Sequence, residues 1–216
     1  MKLLLIGMGA GNGLAVARRF GREGFHILMV ARSEHKLEAF GAELAAEGIR
    51  STGYAADISD ESAFGALLTR IAAEHSDIGI LHYNASAFNP AKPSEISISV
   101  FEKDLRINLI AAVMAVQAVF PQMKKRGNGA IFFTGGGTAF HAPPELASLA
   151  VGKAALRSLA FTLAAECRPL GIHAATITID GMVKAGTRFD PDLIADEFWR
   201  LYRQPAAEWE TEVIWK

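Results

Sequence analysis

Short apolar runs alternate with longer amphipathic segments along most of the chain. Most of the runs are continuously apolar, as expected of strands that are buried on both faces of a sheet, and the segments between them repeat apolar residues at helical spacing. We predict strands at residues 3–6, 26–30, 51–54, 79–83, 130–134, 172–179 and 212–215, and helices at 14–23, 36–47, 60–74, 100–125 and 145–168. This alternation predicts an α/β protein with a Rossmann-type, doubly wound parallel sheet in three α/β/α layers.

Length and composition fit one domain that covers residues 1–216. Half of the residues are apolar and 21% are charged, so the chain can bury a sizeable core. The net charge of −1 argues against a partner that is a nucleic acid or an anionic membrane surface. The most apolar stretch, residues 146–165, contains Lys153 and Arg157, so we expect a buried helix rather than a membrane span.

Cysteine usage points to a reducing compartment. Cys167 is the only cysteine, so no intrachain disulfide can form. No Cys/His spacing resembles a zinc site, and we predict no bound metal. A cytoplasmic location is the simplest expectation.

A glycine-rich loop joins the first predicted strand to the first predicted helix. It reads Gly7-Met8-Gly9-Ala10-Gly11-Asn12-Gly13-Leu14. Glycine has no Cβ, so the backbone can turn sharply and approach a pyrophosphate, and the free N–H groups of the helix start attract that anion. The strand–loop–helix context predicts a dinucleotide-binding loop; the alternative is a tight turn that binds nothing. The predicted contacts are Gly7, Gly9, Gly11, Asn12, Gly13 and Leu14.

The end of the second predicted strand bears on the choice of dinucleotide. In NAD-dependent proteins, an acidic residue about 20 positions beyond the glycines binds the ribose 2′-OH. Here Ala31 ends the strand, and Arg32 lies 19 residues beyond Gly13. A guanidinium pairs with phosphate in a forked geometry, so Arg32, with the hydroxyl of Ser33, favours NADP(H). The alternative is that Arg32 is an ordinary solvated residue at a helix start.

Further motifs follow the glycine loop in order and at fitting intervals. They are Asp57-Ile58-Ser59-Asp60, Asn84-Ala85-Ser86, Asn108, Val151-Gly152-Lys153-Ala154-Ala155-Leu156 and Asp180-Gly181-Met182-Val183. With the spacing of Gly7, Gly11 and Gly13, they resemble the short-chain dehydrogenase/reductase family over most of the chain. Ser86 stands where that family has glycine, and Asp180 where it has proline. The resemblance implies further cofactor contacts from Asp57, Ile58, Asn84, Ala85, Ser86, Lys153 and Val183.

The resemblance also implies an altered active site. The family uses a tyrosine as general acid/base, a serine that orients the substrate, a lysine that holds the nicotinamide ribose and an asparagine that supports a proton-relay water. Lys153 and Asn108 match the last two, whereas Leu149 and Gly136 stand at the tyrosine and serine positions. Leucine cannot transfer a proton, a step that contributes about 10²–10⁴-fold in rate.

Two other residues near position 149 can exchange protons. Glu145 is four residues earlier, on the same face if the helix begins there, and His141 lies in the preceding loop. Each has an alternative role: an acidic residue in a first helical turn stabilises the helix dipole, and a loop histidine is usually a surface residue. The glycine triplet 135–137 either presents backbone N–H groups to the ligand or only makes a tight turn.

The remaining expectations concern assembly and substrate. The helices near residues 100–123 and 146–165 are apolar nearly all round and resemble the family's dimer interface, so we expect a homodimer or homotetramer; the alternative is burial under the C-terminal segment. By the same resemblance, residues 184–210 form a variable substrate or lid segment.

These observations predict an NADP(H)-dependent oxidoreductase with an atypical active site. Its substrate is a small carbonyl or alcohol compound that the sequence does not identify. Because the fold alone does not decide the chemistry, two alternatives stay open: an NADP(H)-binding sensor or scaffold without turnover, and a non-redox isomerase or dehydratase.

Overall fold

Seven parallel strands form one sheet in the computed structural model, which describes residues 1–216. The strands are β1 (Lys2–Ile6), β2 (His26–Ala31), β3 (Ser51–Ala55), β4 (Ile78–Tyr83), β5 (Gly129–Gly136), β6 (Ile172–Ile179) and β7 (Glu212–Trp215). Their order is β3-β2-β1-β4-β5-β6-β7, and every pairing is parallel. The chain therefore builds the sheet outward from β1 in one direction and then, from β4, in the other.

Helices cover both faces of this sheet. They are α1 (Asn12–Gly21), α2 (Glu34–Ala46), α3 (Glu61–Glu74), α4 (Ile98–Leu105), α5 (Ala111–Arg126), α6 (Thr138–His141), α7 (Ala147–Cys167) and α8 (Pro191–Arg203). One core cluster joins α1, α2 and α8 to the sheet, and a second joins α3, α5 and α7 to the opposite face. The predicted three-layer, Rossmann-type α/β architecture is confirmed.

The strand order reverses between β1 and β4. The carboxyl ends of these two strands are neighbours, since Ile6 pairs with Tyr83. In open parallel sheets, ligands bind in the crevice at such a reversal. The loops that follow β1 and β4 lie at this crevice, and those that follow β5 and β6 continue along the same edge of the sheet.

The helices depart from the sequence prediction in four places. The predicted helix 100–125 begins at Ile98 and contains a π-helical turn, Arg106–Ile110, between α4 and α5. The predicted helix 145–168 begins at Ala147, because Leu146 is not helical (φ −119°, ψ 37°) and the carbonyl oxygen of Glu145 accepts a hydrogen bond from the amide of Ala91 in another loop. The short helix α6 was not predicted. Neither was α8, although it buries Ile194, Phe198 and Leu201 within the stretch expected to form a variable segment.

Two helical stretches are long and apolar enough to cross a membrane by length and composition, Ile98–Arg126 and Ala147–Leu170. Both pack on the sheet and contribute buried residues to its core, among them Val119, Met123, Leu156 and Leu163. Helices that pack in a protein core also reach this length and hydropathy, and both of these stretches are core helices in this fold.

Candidate functional site

The loops after β1 and β4 are in direct contact. Gly7 has a positive φ of 94°, and a Cβ placed on it would lie 2.6 Å from the Cα of Ala85, inside the neighbouring loop. The side-chain amide of Asn84 donates a hydrogen bond from Nδ2 to the carbonyl oxygen of Gly7 at 2.9 Å. Only glycine meets both requirements at position 7, so this residue fixes how the two loops meet.

The next glycines leave the outer side of the loop open. No atom lies within 4 Å of a Cβ placed on Gly9 or Gly11. Gly11 precedes α1 and provides no side-chain cap for its first N–H groups, and the buried Oδ1 of Asn12 has no hydrogen-bond partner. An uncapped helix start beneath an open glycine loop fits the pyrophosphate of a dinucleotide.

A cleft of about 750 Å³ extends from this loop across the carboxyl ends of β2, β3 and β4. Seven residues of the predicted cofactor set line it: Gly7, Arg32, Asp57, Ile58, Asn84, Ala85 and Ser86. The other predicted contacts, Gly9, Gly11, Asn12, Gly13, Leu14, Ser33, Lys153 and Val183, lie outside its lining. The Ser33 hydroxyl instead caps α2 by accepting a hydrogen bond from the Lys36 amide at 3.3 Å.

Two cations and a carboxylate share one end of the cleft. Asp57 accepts hydrogen bonds from the backbone and hydroxyl of Ser59, at 3.0 and 2.7 Å. These bonds, followed by the positive charges of Lys103 and Arg32, hold the pKa of Asp57 below its usual value. Arg32 is exposed and makes no hydrogen bond or ion pair within the protein, so its guanidinium is available to an anionic ligand. Lys103 was not predicted, because only the fold brings α4 to this wall.

Lys153 is a buried cation behind the end of β5. It is 7% exposed, and its Nζ donates a hydrogen bond to the carbonyl oxygen of Thr134 at 2.7 Å. Burial lowers its pKa to about 8. The Thr134 hydroxyl in turn lies 2.9 Å from Nε2 of His82, a histidine whose pKa burial lowers to about 3 and which is therefore neutral at pH 7.

Asn108 lies in the π-helical turn and is fully engaged with the loop after β4. Its Oδ1 accepts a hydrogen bond from the amide of Ala87 at 2.7 Å, and its Nδ2 donates to the carbonyl of Ala87 at 3.3 Å. Gly152 of α7 packs against it so closely that a Cβ there would lie 2.5 Å from the Cβ of Asn108. Turns of this kind recur at functional sites. Here the turn holds Asn108 between α7 and Ala87, a residue that lines the cleft.

The space beside Lys153 carries no hydroxyl from position 149 or 136. Leu149 is half-buried, one helical turn before Lys153. A Cβ placed on Gly136 would make ordinary contact with the Lys153 side chain, 3.6 Å from its Cγ. A side chain at position 136 is therefore sterically acceptable, and its absence leaves the aliphatic part of Lys153 facing the end of β5.

His141 and Asp180 form a pair at the same edge of the sheet. Nε2 of His141 lies 3.0 and 3.2 Å from the two carboxylate oxygens of Asp180. A Cβ on Gly137 would lie 2.9 Å from the Cα of Asp180, so glycine is required where the two loops meet. Sequence reasoning noted Asp180 only as a replacement for proline. The signal it missed was an acidic residue directly after a strand, at the edge where ligands bind.

Glu145 is placed differently from the sequence prediction. It lies in the loop before α7 rather than one helical turn before Leu149, and its side chain is exposed. Its carbonyl oxygen accepts a hydrogen bond from the amide of Ala91 at 2.8 Å, which joins two loops. Glu145 therefore does not share a helix face with Leu149.

A buried carboxylate forms a further contact that sequence reasoning missed. Asp104 of α4 is 1% exposed and accepts hydrogen bonds from Ser148 at 2.5 Å and from Asn89 at 2.6 Å. It thereby joins α4, α7 and the loop after β4 next to the cleft, which it also lines. An acidic residue among the apolar positions of a helix was the available signal.

Known proteins are similar to this chain in both sequence and structure. The profile that describes short chain dehydrogenases matches residues 2–192. The mouse protein named dehydrogenase/reductase SDR family member 4 is 33% identical over 181 residues, which are 83% of this chain and 63% of that protein. The chain thus spans less than two thirds of that relative's length.

Solved structures extend the similarity to the whole chain. A short-chain dehydrogenase from Rhodopseudomonas palustris is 28% identical, with a TM-score of 0.88 over 100% of this chain and 97% of that one. A metagenomic short-chain oxidoreductase in complex with NADP is 24% identical, with a TM-score of 0.91 over 99% of this chain and 96% of the other. At 24% identity, the second similarity shows only that the two proteins share a fold.

Proposed function

Because the chain belongs to the short-chain dehydrogenase/reductase family, we propose that it is an NADP(H)-dependent oxidoreductase that interconverts a carbonyl compound and an alcohol at an atypical active site. The observation that carries the proposal is the buried Lys153, whose ammonium lies against the end of β5. Burying a cation with one hydrogen-bond partner costs stability. A buried lysine that served only the fold would lower stability without any benefit. In an enzyme, the same lysine has a function, because it binds and orients the ribose of the nicotinamide nucleotide.

The cofactor fits the residues that are present. The open glycine loop and the uncapped start of α1 suit the pyrophosphate. Asp57 and Ile58, which line the cleft, would contact the adenine, and Lys153 would hold the nicotinamide ribose. Arg32 follows β2 directly and has no ion-pair partner, and no acidic residue stands at the end of β2 to bind a ribose 2′-hydroxyl. NADP(H) supplies the hydride when bound. The structural neighbour that contains NADP supports this choice by showing the same fold with that ligand.

Replacing Arg32 by alanine should weaken NADPH binding by about tenfold or more, because a charge-assisted contact to phosphate contributes roughly 1.5–3 kcal/mol. NADH lacks the 2′-phosphate, so its affinity should barely change. Fluorescence titration of both cofactors against wild type, Arg32→Ala and the control Arg22→Ala measures this. Equal affinities of the wild type for NADPH and NADH would contradict the NADP(H) assignment.

The reaction itself is tested by a two-stage assay. Purified protein is first titrated with NADPH and then supplied with a panel of ketones and aldehydes while NADPH absorbance is followed. We expect NADPH binding and consumption with at least one carbonyl class. Binding without consumption would favour the sensor or scaffold alternative. The absence of binding would refute the proposal as a whole.

We further propose that the protein is a homodimer or homotetramer built on α5 and α7. Their outer faces form an apolar groove of about 300 Å³. Its apolar lining residues are Val113, Val116, Phe120, Leu159 and Leu163. Closed two-fold pairing is the commonest way in which soluble proteins cover such a surface.

Introducing glutamate at Val113 should convert the oligomer to a monomer, because pairing would bury two unpaired charges. Light scattering coupled to gel filtration measures the mass, and Lys124→Glu, on the same helix outside the groove lining, is the control. Leu156 is unsuitable for this test. Leu156 of α7 is 1% exposed and packs in the core against the sheet, so a charge there would destabilise the fold instead of testing the interface. A wild-type protein that is already monomeric would rule out the assembly.

A further inference from the structure

We propose that His141 and Asp180 form the proton-transfer pair of this active site, with His141 as the catalytic acid/base and Asp180 as the positioning residue that orients it. The inference rests on the proposed oxidoreductase function. It supplies the group that exchanges a proton with the substrate oxygen, a role that Leu149 cannot perform.

The geometry of the pair leaves one ring nitrogen free. An ionised carboxylate only accepts hydrogen bonds, so Nε2 of His141 carries the proton directed at Asp180, with oxygens at 3.0 and 3.2 Å. Nδ1 is then the nitrogen that can meet a substrate. A histidine oriented by a carboxylate through one nitrogen and acting through the other is an established acid/base arrangement. The exposed fraction of the His141 side chain is 66%, so it can also exchange protons with solvent.

The pair adjoins the part of β5 that faces Lys153. Gly136 pairs with Ile179 across β5 and β6, and the amide of Gly137 donates to the carbonyl of Ile179 at 2.8 Å. Gly137 and Asp180 are therefore the first residues after two adjacent strands. A Cβ at Gly136 would touch the aliphatic side chain of Lys153 and one at Gly137 would touch Asp180, so Lys153 and the His141–Asp180 pair contact neighbouring residues at the end of β5.

The helix that carries His141 is held in place by its neighbours. The guanidinium of Arg157 lies 5.1 Å from the ring centre of Phe140 and is fixed by Glu212 at 2.6 Å. Directly after His141, Ala142 adopts a left-handed conformation (φ 42°, ψ 56°) and is the only residue other than glycine with positive φ. Strained backbone of this kind clusters at functional sites, and here it ends the helix at the proposed acid/base.

In reduction, the carbonyl carbon accepts a hydride from NADPH, and the electron pair of the C=O π bond moves to oxygen. That oxygen takes the proton from Nδ1 of the His141 imidazolium, whose charge Asp180 stabilises, and solvent returns a proton to His141. NADPH, one carbonyl and one proton thus give NADP⁺ and one alcohol. Alcohol oxidation follows the reverse path.

The kinetic test uses His141→Ala, His141→Gln and Asp180→Asn with NADPH and a carbonyl that the wild type consumes. Loss of His141 should lower kcat by about 10²–10⁴-fold, and Asp180→Asn by about tenfold or more, while KM and NADPH affinity stay within about twofold. His35→Ala, a change at an exposed histidine on α2, is the control and should match the wild type. Wild-type kcat in the His141 variants overturns the pair alone. Absence of NADPH consumption by the wild type overturns both the pair and the proposed function.

A second readout needs neither cofactor nor turnover. Nitrogen-15 spectra of the imidazoles should show the His141 proton on Nε2 in the wild type, because Asp180 accepts it. In Asp180→Asn both tautomers should be populated, whereas the buried His82 should be unchanged. Identical His141 spectra in the two proteins would show that Asp180 does not orient the ring and would overturn its positioning role.

Discussion

The double substitution Leu149→Tyr/Gly136→Ser is expected to restore carbonyl reduction to a protein that carries His141→Ala, raising its kcat by about 10²–10⁴-fold. Leu149 is half-buried one turn before Lys153, so a phenol at this position lies on the helix face that carries the ammonium. The nearby positive charge favours the phenolate form and thereby prepares the hydroxyl for proton transfer. A serine Cβ at position 136 makes only ordinary contact with Lys153, so this substitution needs no movement of the backbone.

The matched control is Leu149→Phe/Gly136→Ser in the same His141→Ala background. Phenylalanine reproduces the size and shape of the new side chain but has no hydroxyl, so only the tyrosine version should regain activity. Rates are compared at saturating NADPH, which removes any difference in cofactor affinity. If the two versions turn over at the same rate, proton transfer is not what limits the site, and the assignment of the missing function to position 149 is wrong.

Replacing Lys153 by methionine should abolish most turnover and at the same time stabilise the fold at neutral pH. Burial lowers the pKa of Lys153 from its ordinary 10.5 to about 8, so the charged form is disfavoured in the folded protein. At 1.36 kcal/mol per pKa unit, this corresponds to a penalty of about 3 kcal/mol at pH 7. Methionine removes the charge at similar volume. It also loses the hydrogen bond to Thr134, worth about 1 kcal/mol, so the net gain is about 2 kcal/mol.

The pH dependence gives the sign of this effect. Between pH 8 and 10.5 the unfolded chain holds a proton on Lys153 that the folded chain has released, so this residue makes wild-type stability rise with pH in that window. The gain from Lys153→Met should therefore be largest below pH 8 and should turn into a loss of about 1 kcal/mol above pH 10.5, where only the missing hydrogen bond to Thr134 remains. Urea unfolding of both proteins across this range measures it. A variant that is less stable than wild type at pH 7 would show that the buried ammonium does not destabilise the fold.

Most of the sheet was predictable because its strands are buried on both faces. Leu3, Leu4, Leu5 and Ile6 are fully buried in β1, and such a run has few alternatives to a central parallel strand. Asp60, where the predicted helix 60–74 begins, caps α3 by accepting a hydrogen bond from the amide of Ala63 at 2.9 Å. Signals of this kind are local in sequence. They need no knowledge of distant contacts.

The missed elements depend on contacts between distant segments. Helix α6 has four residues, too few for a periodic pattern. The π-helical turn at Asn108 accompanies hydrogen bonds to Ala87 and close packing against Gly152, neither of which a single helix pattern reveals. The same reason explains the misplaced start of α7: helical spacing was extended back past Leu146 to Glu145, whose carbonyl oxygen instead accepts a hydrogen bond from the amide of the distant Ala91.

The sequence predicted which residues belong to the candidate site better than it predicted which of them contact one another. The glycine loop and Arg32 are visible as motifs because each acts through its own segment. His141 and Asp180 are 39 residues apart, and Ser148 and Asp104 are 44 apart. Only the pairing of β5 with β6 and the packing of α4 against α7 bring these groups together.

The contact between Gly137 and Asp180 means that these two positions cannot vary independently. Any side chain at 137 would occupy the space of the acid, so in a relative with a larger residue there, a change to aspartate at 180 alone would be rejected for steric reasons before its chemistry mattered. In this geometry, glycine at position 137 is a condition for aspartate at position 180. Grafting the pair onto another scaffold therefore requires three substitutions made together, at the positions equivalent to 137, 141 and 180, and a screen of single substitutions would not find it.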